Sequence, residues 1–226
     1  MNIFLWISLA AAGLCLLRLL ISFVHLAHKG LPNDLATPQG STAKGIVYAH
    51  TVAMSPTHKE SAYKHLPTYT AGIIYHLGTF LSLLLYVWVL CCRSFGWHAP
   101  RWLYLVFAAC LLISTVCGIF IFGKRCLRKD LRSLSVPDDY ISNGLVTGFQ
   151  GLTALLLIFP HATVLGICTL LTVYALWGAL LFLWIPCGKI RHLLYYFLAR
   201  THLGVFYGRR GTWPPAKESP ANDKAL

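Results

Sequence analysis

The uncharged stretch 102–123, WLYLVFAACLLISTVCGIFIFG, constrains the fold more than any other part of the chain. A helix needs about 20 mostly apolar residues to cross the hydrocarbon core of a bilayer, and this stretch supplies them. Four further runs come near that length, at 3–24, 71–92, 144–159 and 163–185. The run at 3–24 is interrupted by Arg18, and the run at 144–159 is short and rich in glycine. The five runs predict an all-α integral membrane bundle of five transmembrane helices.

The composition excludes an ordinary soluble domain. Hydrophobic residues make up 57% of the 226-residue chain, charged residues make up 12%, and the mean hydropathy is +0.63. A soluble domain has about 25% charged residues. The first residues, MNIFLW, have neither a basic leader nor a small-residue cleavage site. We therefore expect the first span to be a retained helix rather than a signal peptide.

The basic residues predict the orientation of the helices. Outside the spans, 16 lysines and arginines fall in the 1–2 connection, the 3–4 connection or the C-terminal tail, and two fall in the 2–3 connection. Because cytoplasmic connections carry the excess of Lys and Arg, the N-terminus is predicted to be outside and the C-terminus cytoplasmic. The net charge of +12 is therefore a topology signal. Without a basic soluble module, the chain is not expected to bind nucleic acid.

The longest connection, 25–70, is predicted to be a cytoplasmic loop. It contains four prolines and three glycines, which are typical of loops. Loops of this length are usually functional or docking surfaces. We therefore divide the chain into a five-helix transmembrane domain, 1–200, which includes this loop, and a cytoplasmic tail, 201–226.

Two polar features lie at the ends of the spans. The stretch KIRHLLYYFLAR is predicted to continue the fifth span without a break, and Pro186 is expected to kink that helix and bring His192 inward. Ahead of the fourth span, Asp138 and Asp139 are expected to cap the helix N-terminus and offset its dipole. Proton transfer is the alternative role for these two carboxylates.

The eight cysteines do not form a CxxC or CxxCH pattern. Neither a c-type haem attachment nor an iron–sulfur cluster held by this chain is therefore indicated. We interpret the cysteines as small residues that help helices to pack, with a disulfide at Cys91 or Cys92 as the alternative.

Two histidines are candidate haem ligands. His76 lies about 9 Å into the second span, at 1.5 Å per residue, and His192 lies on the continuation of the antiparallel fifth span. Two neutral imidazoles facing each other across a bundle suit a b-type haem. The alternatives are that His76 bonds a neighbouring carbonyl and His192 is solvated, or that His65 and His202 form the pair. Candidate neighbours of the haem propionates are Arg18, Lys64, Lys189 and Arg191.

A family resemblance adds to this interpretation. The stretch YHLGTF, 75–80, resembles the Phe-His-Ile-Gly pattern of the gamma subunit of respiratory nitrate reductase, and PCGKIRHLLYY, 186–196, resembles that family's Pro-x-x-(Ser/Lys)-(Arg/Ile)-x-His ending. The family includes cytochrome b subunits of membrane heterodisulfide reductases and of a complex linked to sulfite reduction. The resemblance implies that His76 and His192 ligate the haem nearer the cytoplasm, in a prokaryotic cytoplasmic membrane.

The sequence departs from this family at the second haem. Its members usually bind a distal haem through one histidine ten residues after the first ligand and another eighteen residues before the last ligand. Here those positions hold Tyr86 and Tyr174. A pair of tyrosinates in a buried site would be costly to ionise. The chain is therefore expected to bind one haem, with the distal volume filled by side chains or open to a quinone.

The expected function is electron transfer between a membrane quinone pool and a cytoplasmic iron–sulfur or catalytic subunit. The chain shows no carboxylate pair, nucleophile triad or glycine-rich phosphate loop, so it is not expected to complete a substrate reaction alone. A haem-free membrane anchor is the second hypothesis. A small solute transporter is the third, and it lacks the paired broken helices typical of that class.

Overall fold

The computed structural model describes residues 3–30, 34–55, 64–164, 166 and 168–215. Most of these residues are helical, as predicted. The α-helices are, in chain order, α1 (Ile3–Lys29), α2 (Thr42–His50), α3 (Leu66–Phe95), α4 (Arg101–Leu127), α5 (Lys129–Ser133), α6 (Pro137–Ile158), α7 (Leu170–Trp184) and α8 (His192–Arg209). Two short 3₁₀ turns, Val52–Met54 and Lys189–Arg191, and an antiparallel hairpin, β1 (Thr163–Val164) and β2 (Cys168–Thr169), complete the described elements.

Four helices, α1, α3, α4 and α6, are long and apolar enough to cross a membrane. The number becomes five if α7 and the helical segment after it are counted as one interrupted span. This is the pattern of a multi-pass membrane protein.

The fourth span begins earlier than hydropathy predicts, at Pro137 rather than 144. Proline is favoured at the first position of a helix because its missing N–H would have no partner there. The Asp139 carboxylate accepts a hydrogen bond from the backbone N–H of Val136 at 2.9 Å, as expected of a capping residue. The polar first turns therefore belong to the helix, and α6 is 22 residues long.

The fifth span is shorter and more broken than predicted. Residues 163–164 pair with residues 168–169 as the β1–β2 hairpin, so α7 begins at Leu170 and has 15 residues. After Trp184 the chain forms a turn in which the N–H of Gly188 bonds the carbonyl of Trp184 at 2.8 Å. The unbroken continuation through KIR is therefore wrong. Pro186, which has no N–H to donate, lies within this interruption.

The chain divides into two compact units. Unit 1 comprises Met1–Ser22 and Leu66–Arg191, and unit 2 comprises Phe23–His65 and His192–Leu226. The predicted domain boundary at 200 falls inside α8, and the predicted loop 25–70 contains α2. The segment 42–50 has no proline, and the Ser41 hydroxyl caps it by accepting from the N–H of Lys44 at 3.4 Å.

In unit 1, small and polar side chains lie at the centre of the contacts between α3, α4 and α6. Gly78, Ser82 and Ser114 are buried there. A Cβ atom on Gly148 would lie 2.6 Å from Cε2 of Trp177, so α6 and α7 also approach closely at a glycine. Such small residues let helix backbones come together in a membrane, where burial from water gives little driving force.

In unit 2, α2 packs on α8 through glycines. Gly204 and Gly208 are spaced four apart on α8, and both are buried. A Cβ atom on Gly204 would lie 2.5 Å from the Cα of Ile46, and one on Gly208 would lie 2.7 Å from the carbonyl oxygen of Ser41. The two backbones are therefore in direct contact.

Arginines of α8 and the residue after it also hold unit 2 together. Arg200 donates to the carbonyl of Ala49 at the end of α2, with Nε at 3.0 Å. Arg210 donates through both Nη atoms to the Asp34 carboxylate, at 2.6 and 2.9 Å. A hydrogen bond from the N–H of Ala36 and the Arg210 guanidinium hold the pKa of Asp34 below its ordinary value.

Candidate functional site

His76 lies on α3, and its side chain is exposed on the surface of the chain. Its Nδ1 lies 2.6 Å from the carbonyl oxygen of Gly72, one turn earlier. A carbonyl accepts only, so Nδ1 carries a proton, and in a neutral imidazole the lone pair is then on Nε2. The carbonyl contact named above as an alternative to haem ligation is therefore present. It is also compatible with ligation, since metal-binding histidines usually donate their other ring N–H to such a partner.

The opposite face of α3 is fixed by a buried amide. Gln150, on α6, is fully buried, and its Nε2 donates to the carbonyl of Tyr75 at 3.1 Å and to the Thr79 hydroxyl at 2.8 Å. The Gln150 carbonyl oxygen accepts from the Ser114 hydroxyl of α4 at 2.7 Å. A buried polar group that loses such partners costs about 1–3 kcal/mol, so this network fixes the rotation of α3 about its axis.

The rotation of α3 therefore decides where His76 points. Tyr75, the preceding residue, faces the helix contacts, where its hydroxyl donates to the carbonyl of Asn143 at 3.3 Å. The residues that share the face of His76 are apolar and exposed: Ile73 is 42% exposed and Leu77 is 64% exposed. The imidazole thus stands on an apolar surface, the kind of environment that a porphyrin face requires.

His192 is the first residue of α8, and its side chain is exposed. His76 belongs to unit 1 and His192 to unit 2, so their ligation of one iron stays a prediction. The alternative pair, His65 and His202, lies within unit 2. His65 is exposed before α3, and His202 is half-buried, with a buried Nδ1 that has no hydrogen-bond partner in the described part of the chain.

The turn before His192 is clamped to the start of α6 by Asp138. One carboxylate oxygen accepts from the indole N–H of Trp184 at 3.0 Å, and the other accepts from the backbone N–H of Lys189 at 2.6 Å. The Ser142 hydroxyl donates to the first of these oxygens at 2.6 Å. Asp138 therefore does more than cap α6: it holds the chain immediately before a predicted ligand.

The four predicted propionate neighbours have different surroundings. Arg18 and Arg191 are exposed within unit 1, and Lys64 is exposed within unit 2. The Lys189 ammonium forms an ion pair with Asp139 at 2.8 Å, and Arg125 pairs with the same oxygen at 3.0 Å. A propionate at Lys189 would therefore compete with an existing carboxylate.

The two positions that depart from the nitrate reductase pattern lie together in the core of unit 1. The rings of Tyr86 and Tyr174 have centroids 6.3 Å apart, and Phe149 stacks on Tyr174 at 5.2 Å. The Tyr86 hydroxyl donates to the Ser8 hydroxyl of α1 at 3.0 Å. Aromatic side chains fill the volume around both tyrosines, which are 4% and 0% exposed.

The Tyr174 hydroxyl is the exception in this cluster. Within the described chain it has no hydrogen-bond partner, although it is fully buried. Its neighbour Thr153 donates its own proton to the carbonyl of Phe149 at 2.6 Å.

Among the described residues, no group of three or more histidine, cysteine or acidic side chains could hold a metal ion. A haem held by two histidines would not form such a group. All eight cysteines are free, including Cys91 and Cys92, so the alternative of a disulfide at this pair is wrong.

Searches of protein-family models, curated proteins and solved structures find no match to this chain. The resemblance to nitrate reductase gamma subunits therefore rests on the two short motifs.

Sequence reasoning missed the Gln150 network and the glycine contact in unit 2. The glycines had a readable signal, because GVFYG at 204–208 is a GxxxG pattern. Gln150 had a weaker one: it is an amide inside an apolar run, where a polar side chain needs a partner.

Proposed function

We propose that this chain is the membrane cytochrome b subunit of a multi-subunit quinone oxidoreductase in a prokaryotic cytoplasmic membrane. It would transfer electrons between the quinone pool and a cytoplasmic iron–sulfur or catalytic subunit through one haem b, which His76 and His192 would hold. The N-terminus would be outside and the C-terminus cytoplasmic.

The observation that carries the proposal is the hydrogen bond from Nδ1 of His76 to the Gly72 carbonyl at 2.6 Å. It orients the ring and, in a neutral imidazole, leaves the lone pair on Nε2, the atom through which His76 would hold the iron. When bound, the haem supplies the one-electron step, and the protein sets its potential.

The fit of the chain to a haem can be judged residue by residue. His76 stands on an exposed apolar face of α3, held there by the Gln150 network on the opposite face. His192 follows directly on a turn that Asp138 anchors through the backbone of Lys189. Both imidazoles are exposed and belong to helices, so two histidine nitrogens would be accessible to hold a b-type haem.

The binding of a single haem is supported by the aromatic cluster in unit 1. Tyr86 and Tyr174 occupy the positions where the resembled family places its distal ligands, and Phe149 and Phe182 pack against Tyr86 with centroids 6.2 and 4.8 Å away. A second porphyrin would have to displace these rings.

The proposed partner surface is basic. Sixteen lysines and arginines lie on the predicted cytoplasmic side, against two on the other. An acidic face on the iron–sulfur or catalytic subunit would be complementary to them, and complementary charge raises association rates.

The test is a reduced-minus-oxidised spectrum of the purified full-length chain with a haem-to-protein ratio. We expect one haem per chain, and we expect His76→Ala and His192→Ala each to lose the low-spin signal. His28→Ala, at the exposed end of α1, is the matched control and should keep it. A colourless wild-type protein would favour the haem-free anchor, and two haems per chain would refute the single-haem assignment.

A further inference from the structure

Unit 1 contains a second site that the haem proposal does not use. A cavity of about 350 Å³ opens where α3 ends, α4 begins and α6 ends. Its lining includes Arg93, Trp97, His98, Arg101, Tyr104 and His161. We call this cavity the basic pocket.

The basic pocket carries positive charge without an opposing carboxylate. Arg93 and Arg101 line it together with two histidines, and none of its lining residues is acidic. The aspartates of unit 1 belong to the other ends of the helices: Asp138 precedes Leu156, a lining residue, by 18 positions on α6. That spacing corresponds to about 27 Å along a helix. An anion in the pocket would therefore meet no carboxylate of this unit.

The donors of the pocket are held in place before any ligand binds. The Arg101 guanidinium donates to the carbonyls of Leu157 and Ile158 at the end of α6, at 2.7 and 2.5 Å. These neutral acceptors and the helix dipole offset part of its charge, by about half an elementary charge. Arg93 is exposed at the end of α3 and supplies a full charge beside it.

The Tyr104 hydroxyl is a third oriented group. It accepts hydrogen bonds from the indole N–H of Trp88 at 3.3 Å and from the N–H of Ala99 at 3.1 Å. Its own proton therefore points away from both donors. Cys92 is its neighbour on the remaining side, with Sγ at 3.9 Å, and a sulfur is a weak acceptor that an anionic oxygen would outcompete.

The surroundings indicate an amphiphilic ligand. Trp88 and Trp97, with ring centroids 5.9 Å apart, resemble the aromatic belt that proteins place at the boundary between hydrocarbon and water. One turn before Trp88 on α3, Leu84 is 69% exposed, which gives an acyl chain an apolar surface to follow. A ligand with a charged head and an apolar tail would satisfy both parts of the site.

We propose that the basic pocket binds the phosphate headgroup of an anionic phospholipid. The phosphate contacts the Arg93 and Arg101 guanidinium groups and accepts from Tyr104, while the acyl chains lie along α3. A lipid whose headgroup also carries a cation binds the pocket less tightly, because no carboxylate lines the pocket to pair with that cation. This inference is independent of haem binding.

The test is lipid retention by the purified full-length chain, measured by native mass spectrometry after addition of phosphatidylglycerol, phosphatidylcholine or inorganic phosphate. We expect selective retention of phosphatidylglycerol. Arg93→Gln should weaken it about fivefold, since one basic side chain near a membrane surface contributes about that factor. The matched control is Arg128→Gln, because Arg128 is also exposed but pairs with Asp130 elsewhere in the unit.

Three outcomes overturn the assignment. Equal retention of phosphatidylglycerol and phosphatidylcholine would show that the pocket does not select an anionic head. Displacement of the lipid by millimolar inorganic phosphate would show a free-phosphate site instead. An equal loss of phosphatidylglycerol retention in Arg93→Gln and Arg128→Gln would show that retention depends on the total charge of the chain and not on this pocket. Circular dichroism of each variant confirms that the helices are intact.

Discussion

The contact between α2 and α8 gives the sharpest test of the packing in unit 2. A methyl group at Gly204 would lie 2.5 Å from the Cα of Ile46 and 2.8 Å from its backbone nitrogen. Carbon atoms normally approach to about 3.5–4.0 Å, so Gly204→Ala must push the two helices apart by about 1 Å. The obstacle is backbone, which has no rotamer by which to move aside.

The expected cost follows from two opposing effects. Overpacking of this kind costs about 1–3 kcal/mol. Because alanine has the higher helix propensity, it stabilises a helix by about 1 kcal/mol relative to glycine. This gain brings the lower end of the overpacking cost near zero. Because the clash is with rigid backbone, we expect a net loss of about 1–2 kcal/mol, a factor of about 5–30 in the equilibrium between closed and open forms.

Hydrogen exchange with mass spectrometry on the full-length chain measures this loss. Peptides covering 42–50 and 192–209 should exchange about 5–30 times faster in Gly204→Ala than in the wild type, if exchange follows the opening equilibrium. The control is Gly144→Ala on α6, where a Cβ atom would meet nothing within 4 Å. That variant should leave exchange in α6 unchanged or slower. Wild-type exchange rates in α2 and α8 of Gly204→Ala would refute the reasoning.

Three further predictions concern polar side chains. Tyr174→Phe removes a buried hydroxyl that has no partner in the described chain, so Tm should stay unchanged or rise, whereas Tyr86→Phe breaks a 3.0 Å hydrogen bond and should cost about 1 kcal/mol. Asp138→Asn weakens the anchor of the turn before α8, so, under the proposed cytochrome function, the haem-to-protein ratio should fall and the low-spin EPR signal should broaden. The lowered pKa of Asp34 means that its bond to Arg210 contributes stability above the ordinary carboxyl pKa of about 3.9 and loses it as pH falls through the folded-state value. Exchange near residues 34–41 should therefore accelerate in acid, and Asp34→Asn should remove that pH dependence.

Each of these three predictions has a result that would contradict it. Equal destabilisation by Tyr174→Phe and Tyr86→Phe would show that the Tyr174 hydroxyl does have a partner. An Asp138→Asn protein with wild-type haem content and EPR spectrum would show that the turn is held without the carboxylate. Acid-induced exchange that persists in Asp34→Asn would assign the pH dependence to another group.

Hydropathy was sufficient to predict the long helices, because each is a run of apolar side chains that must leave water. Hydropathy did not predict the ends of these helices, because polar residues there form hydrogen bonds with nearby backbone groups. Asp139 accepts from the N–H of Val136, so α6 starts seven residues before its apolar run. Cys168 and Thr169 lie inside the mostly apolar run 163–185, yet they pair with Val164 and Thr163 across a hairpin. Average hydrophobicity contains no information about such hydrogen bonds.

The same limit applies to the candidate site. The sequence shows that His76 lies in an apolar run, where a histidine is energetically costly. The direction of its side chain, however, depends on which face of α3 is buried. That choice is made by Gln150 and Ser114, 74 and 38 residues further along the chain. The Gln150 amide and the Ser114 hydroxyl bond each other, and both also donate to backbone carbonyls of α3. The face of α3 that meets them is therefore buried, and His76 faces away from them. Substituting Gln150 with Leu, which keeps the size but removes both N–H donors, should therefore loosen the rotation of α3. Under the proposed cytochrome function, this variant should broaden the haem signal without altering either predicted ligand.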